Sequence, residues 1–150
     1  MIFRDFLVFA TIQLGMVLFA CAEAYMEGKD GWKWNPKWWR INLPGGYTYT
    51  AYHFFIYFGM FPILLIFLPL LIAGWDRHLF LVLLFSYVVG SRVEDFTWFV
   101  VNPLHPLSKW NPQETRWYPW ITVGKLSIPL SYTFNFIVAV GILIVLLKGY

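Results

Sequence analysis

The sequence predicts an all-α integral membrane protein: one transmembrane domain built as a four-helix bundle, with two tryptophan- and proline-rich loops on one membrane face. Three observations predict it. Residues 6–24, 51–74, 79–101 and 126–147 are apolar stretches, each close to the roughly 20 residues that an α-helix needs to cross a bilayer. Of the 150 residues, 59% are hydrophobic and only 13% charged, against about 25% charged in a soluble domain. Seven of the nine tryptophans fall in the two long connections, where indole rings anchor a protein at the membrane–water interface.

The first span follows Met-Ile-Phe-Arg-Asp and ends near Tyr25, where polarity rises sharply. Leu18-Phe19-Ala20-Cys21 resembles a lipoprotein cleavage box, and Ala22-Glu23-Ala24 a signal-peptidase site. Phe19 is bulky for the first and Asp5 follows Arg4 in the leader region, so the span is expected to be retained. Cys21 is the single cysteine, which excludes an internal disulfide and any multi-cysteine metal or iron–sulfur site. The first loop carries Pro36, Pro44, Gly45 and Gly46, which break helices and turn the chain. The second span holds Pro62 and Pro69, seven residues apart and hence on one face; prolines are tolerated in membrane helices but kink them. Gly74–His78 is a tight turn, and the third span stops at Asn102-Pro103. Four prolines and three tryptophans fill the second loop, 102–125, and the fourth span runs to Lys148. No strand, internal repeat or low-complexity tract is expected.

An even number of spans places both termini and the short turn on one side and both long loops on the other. Seven positive residues lie on the long-loop side and three on the other, which makes the long loops cytoplasmic by the positive-inside rule. Counted per residue of loop, that bias disappears. The loop lysines and arginines alternate with tryptophan, a pattern suited to membrane lipids. No long basic run or stacking platform is present, so nucleic acid is not an expected partner. A homo-oligomer or a larger membrane complex stays open.

The chemistry begins on the third span. At about 100° per residue, Tyr87, Ser91, Glu94, Asp95, Trp98 and Asn102 share one sector, which should face the bundle rather than lipid. Arg92 lies beside the two carboxylates and can pair with one, leaving a surplus acid. On the first span Gln13, Ala20, Glu23 and Glu27 share a face. Glu27 either meets Glu23 as a like charge one turn on or already lies in water. His53 enters in the first turn of the second span, with Tyr57 a turn further in. It is either a hydrogen-bonded anchor or a ligand. Carboxylates and an imidazole delivered by three helices to one depth follow the logic of a bundle metal site. Glu23, His53, Glu94 and Asp95 are the candidate ligands, joined by His105 from the following loop. Nitrogen and oxygen donors suit zinc, iron or manganese; carboxylates alone suit calcium or magnesium. Arg92, Tyr57, Trp98 and Asn102 are expected in the wall that binds cofactor or substrate.

No His-Glu-x-x-His, repeated Glu-x-x-His, histidine box, glycine-rich phosphate loop or Gly-x-Ser-x-Gly elbow is present, so the familiar metalloprotease, di-iron, desaturase, NAD- and nucleotide-binding signatures are absent. Three functions follow from the pattern. The first is an enzyme on a lipid-like or isoprenoid substrate, with Glu23, Glu94 or Asp95 as general acid/base and a divalent metal in support. The second is a non-catalytic subunit of a larger membrane complex. The third is a proton or cation pathway, disfavoured because the far half offers only Gln13 and Asn135. An ionisable group at membrane depth costs roughly 2.5–3.5 kcal/mol on insertion scales, and small residues or hydroxyls secure helix packing at less cost. That contrast favours the enzyme.

Overall fold

A computed structural model describes residues 2–29, 38–42 and 48–149. Four long helices organise it: α1 (Ile2–Glu27), α2 (Ala51–Ala73), α3 (Arg77–Val101) and α4 (Leu130–Lys148). Three of them, α1, α2 and α4, are long and apolar enough to cross a membrane. The remaining one, α3, is 25 residues long and carries Arg92, Glu94 and Asp95. Its place explains how it can. α1 packs along α3, α4 lies against another side, and the second half of α2 also touches it. Only Arg77, Phe96, Val100 and Val101 of α3 are exposed. The other helices instead turn apolar side chains outward, among them Phe6, Leu14, Leu71 and Phe136.

Close approach and hydrogen bonds, the means by which helices associate where lipid surrounds them, both join α1 to α3. At the α1–α3 contact a Cβ on Gly90 would lie 2.9 Å from Met16 Cγ, so glycine permits the approach. One turn away the Gln13 side-chain amide donates to the Ser86 carbonyl at 2.9 Å. Ile12 and Met16 of α1 then close a core with Phe61, Ile66 and Leu70 of α2 and Leu83 of α3.

The prolines of α2 widen its turns rather than break it. Phe55–Met60 and Ile63–Phe67 are π-helical, the form in which an N–H reaches five residues back. Phe61 accordingly donates to the Ile56 carbonyl. The next carbonyl, of Tyr57, would look to residue 62, which is proline and has no N–H. The Tyr87 hydroxyl of α3 donates to that carbonyl instead. A side chain of one helix thus completes the backbone of another.

The expectation of no strand is corrected in two places. β1 (Arg40–Asn42) pairs antiparallel with β2 (Thr48–Thr50), with Arg40 opposite Thr50 and Asn42 opposite Thr48. β3 (Trp120–Val123) pairs with β4 (Leu126–Pro129), with Trp120 opposite Pro129. Gly124, at φ +61°, takes the first of the two turn positions between them, a place where two-residue hairpins often require glycine. The apolar residues 126–129 therefore belong to a hairpin, and α4 starts at Leu130, whose N–H donates to the Pro119 carbonyl at 2.8 Å.

Between α3 and β3 the second loop is folded by its own polar groups. Asn102 Oδ1 accepts from the backbone N–H groups of Leu104 and His105. The Thr115 hydroxyl donates to the Lys109 carbonyl at 2.7 Å, and Trp120 Nε1 donates to the Thr115 carbonyl at 2.8 Å. Trp98, Phe99 and Tyr118 pack with Ala20 and Ala24 into a second core beneath this loop.

Candidate functional site

The site assembles where α1 ends, α2 begins and α3 approaches its last turns. α1 continues to Glu27 and stops at Gly28, whose φ of +62° suits a helix C-terminus. Asn102 Nδ2 donates to the Gly28 carbonyl at 2.6 Å and so ties the end of α1 to the end of α3. Glu23 and Glu27 therefore lie one turn apart on an ordered helix face, and both are buried.

Thr50 caps α2. Its hydroxyl accepts from the His53 backbone N–H at 3.4 Å and lies 2.7 Å from His53 Nδ1. The other ring nitrogen, Nε2, lies 3.7 Å from Glu27 Oε1. One ligand atom each from Glu23, Glu27 and His53 falls within 4.8 Å of the other two.

α3 supplies the opposite wall. Glu94 accepts a hydrogen bond from the Tyr57 hydroxyl on Oε2. Asp95 accepts from the Tyr118 hydroxyl at 2.5 Å on Oδ1, and its Oδ2 lies 3.7 Å from Arg92 Nη1. Burial, and then the Asp95 carboxylate, hold the Tyr118 phenol well above its ordinary range, so it acts as a hydrogen-bond donor. Arg92 also donates to Ser131 Oγ of α4 at 3.3 Å, and its guanidinium stands 5.3 Å from the centre of the Tyr132 ring.

These groups line a cavity of about 560 Å³. Glu23, Glu27, His53, Glu94 and Asp95 form its acidic wall, and Phe58, Val88, Leu130 and Phe134 part of its apolar wall. Among the described lining residues, four carboxylates against the single guanidinium of Arg92 leave an excess of three formal negative charges. Among the described residues, Oε1 of Glu23, of Glu27 and of Glu94 is buried without a hydrogen-bond partner.

No family model, curated protein or solved structure matches this chain. What the site can do is therefore read from its geometry.

The residues singled out by sequence fall into two groups. Glu23, His53, Tyr57, Arg92, Glu94, Asp95 and Trp98 all line the cavity. Asn102 and His105 are not among the lining residues. Asn102 fastens α1 to α3, and His105 Nε2 lies 3.1 Å from the Thr115 hydroxyl, its ring packed against Phe99 and Trp117. Of the two readings open for Glu27, burial beside Glu23 is the one observed; its four-residue spacing from Glu23 was the available signal. Tyr118, Ser131 and Asn135 also line the cavity. Tyr118 and Ser131 gave no sequence signal, because loop closure and the register of α4 alone bring them in.

Proposed function

We propose that the protein is an intramembrane enzyme acting on an amphipathic, lipid-like substrate, isoprenoids included, with all four helices spanning the bilayer. The observation that carries this reading is one cavity that joins a wall of four carboxylates to an aromatic and aliphatic wall. Its volume of about 560 Å³ falls within the roughly 300–1,000 Å³ of small-molecule sites. An acyl or prenyl chain would lie against Phe58, Val88, Leu130 and Phe134. The polar head would then meet Glu94 and Asp95, the general acid/base candidates. Tyr57 orients the first, while Arg92 and Tyr118 orient the second.

A purely structural polar cluster argues for the subunit reading, but such clusters stabilise a fold only when every member is satisfied. Here four carboxylates instead line one open cavity, as groups that meet a substrate would. The test compares lipid extracts, by mass spectrometry, from cells producing the natural protein, Glu94→Gln and Asp95→Asn at equal levels. A lipid converted by the natural protein and left unconverted by both variants is the expected result. Identical extracts, together with loss of the variants from a larger complex, would establish the subunit reading instead.

A further inference from the structure

We propose that Glu23, Glu27 and His53 bind one divalent transition-metal ion, with its remaining coordination positions open to the cavity. This deepens the enzyme reading by naming a cofactor for the same cavity, yet it stands on different residues from the Glu94–Asp95 pair.

The donor set comes first. Glu23 and Glu27 present carboxylates one turn apart, and His53 reaches them from the first turn of α2; ligand atoms of all three fall within 4.8 Å of one another. Bonds of about 2.1 Å to a metal place neighbouring ligand atoms about 3.0–3.4 Å apart. The His53–Glu27 separation of 3.7 Å is too long for a hydrogen bond and close to the spacing that a shared ion needs.

His53 is held as metal-bound histidines are held. A ligating imidazole is usually oriented through its other ring nitrogen by a hydrogen-bond partner, which fixes its tautomer. The Thr50 hydroxyl stands 2.7 Å from Nδ1 and also accepts from the His53 backbone N–H. With Nδ1–H donating to Thr50, the Nε2 lone pair faces Glu27.

Charge supplies an independent argument. Glu23 and Glu27 are 4% and 8% exposed, and each has a buried Oε1 without a hydrogen-bond partner among the described residues, that of Glu27 lying 3.7 Å from His53 Nε2. Arg92, the one guanidinium lining the cavity, is already beside Asp95 and Ser131. Two buried carboxylates at i and i+4 repel, and a divalent cation between them cancels both charges at once.

The donor types then select the metal. An imidazole nitrogen with two carboxylates suits zinc, iron or manganese, whereas calcium and magnesium favour all-oxygen shells. Three protein ligands are the usual number at a catalytic zinc, where water or substrate takes the next position.

The experiment uses the full chain in lipid nanodiscs, stripped with a chelator and titrated with Zn²⁺, Mn²⁺, Co²⁺, Mg²⁺ and Ca²⁺. Elemental analysis should find one Zn²⁺ or Mn²⁺ per chain at micromolar concentration, and Co²⁺ should show ligand-field bands perturbed by imidazole. Glu27→Gln and His53→Gln should each weaken binding at least 100-fold. Thr50→Val should weaken it about 10- to 100-fold, as losses of outer-shell partners do, and Thr50→Ser should restore it. Absence of stoichiometric transition-metal binding by the natural chain overturns the proposal, whatever the variants' folding. So does binding of Mg²⁺ or Ca²⁺ alone, or binding unchanged by Glu27→Gln and His53→Gln. Asp95→Asn separates the two readings: metal retained with turnover lost supports both. Turnover by a natural chain that binds no metal would leave the enzyme standing and remove the ion. Metal bound with no lipid converted by any form would do the reverse.

Discussion

Replacing Tyr87 with phenylalanine removes one oxygen, and the structure specifies what that oxygen does. It donates to the Tyr57 carbonyl, which its own helix cannot satisfy. In the wide turn of α2 the Phe61 N–H goes to Ile56, and residue 62 is a proline. Phenylalanine keeps the ring and its edge contact with Phe61, whose centroid lies 6.4 Å away, so packing is conserved and only the bond is lost. A buried carbonyl left without a partner costs about 1–3 kcal/mol. Tyr87→Phe should therefore destabilise the protein by about 1–3 kcal/mol. The second half of the prediction is a rescue. Pro62→Ala restores an N–H at the position that faces the Tyr57 carbonyl, so in that background Tyr87→Phe should cost at least about 1 kcal/mol less. Reversible unfolding in mixed detergent micelles, followed by helicity for all four members of the cycle, measures both quantities. An equal cost for Tyr87→Phe in the two backgrounds, or a cost indistinguishable from zero in the first, would refute the reasoning.

Tyr118→Phe should lower stability by about 1.5–3 kcal/mol, the usual contribution of a hydrogen bond to a carboxylate, while Tyr25→Phe on the exposed face of α1 stays within about 0.5 kcal/mol; the same unfolding assay decides. Hydrogen exchange should also quicken across residues 102–119 in the Tyr118 variant, because the phenol bridges that loop to α3. Gly90→Leu should destabilise by about 1–3 kcal/mol through overpacking against Met16. Gly90→Ala should come out near neutral, since the helix propensity gained, about 1 kcal/mol, offsets the displacement of Met16 Cγ. Adding Met16→Ala to Gly90→Leu should recover part of the loss, and failure to do so would place the strain elsewhere.

The helices were legible because a helix that is to cross lipid must be about 20 apolar residues long and pair its own backbone. Apolar runs near 51–74 and 79–101 end within two residues of α2 and α3. The run at 126–147 misled by four residues. Leu126, Ile128 and their neighbours count as apolar equally in a strand and in a span, and only the pairing of β4 with β3 separates the two. Much of the site was legible as well. A polar stripe on one helix and acids at the end of another must face inward when the solvent is hydrocarbon. What stayed hidden depends on tertiary closure. His105 follows the stripe in sequence, but the turn at Asn102 carries it into the loop against Thr115. Tyr118 is 23 residues from Asp95, beyond any helical spacing.

The position of α3 also bears on why the charges gather there. Helices that face lipid on one side must be apolar on that side, as α1, α2 and α4 are. A helix enclosed by the other three and by a folded loop is free of that demand, and its ionisable groups can be neutralised by neighbours. Arg92 and Asp95 are treated in this way, through Ser131, Tyr118 and each other. The acids at the α1–α2 junction have no guanidinium of their own: Glu27 Oε1 meets only the imidazole of His53, 3.7 Å away, and among the described residues no second guanidinium lines the cavity beside Glu23. If that imbalance served packing alone, Glu27→Gln should stabilise the fold, since it removes a repulsion and keeps the shape. If it serves a cation, the same substitution should stabilise the metal-free chain while lowering its gain in stability on adding Zn²⁺. A ligand that binds only the folded state stabilises it by an amount that grows with the logarithm of its concentration relative to Kd, so the two effects separate in a single titration of unfolding against metal.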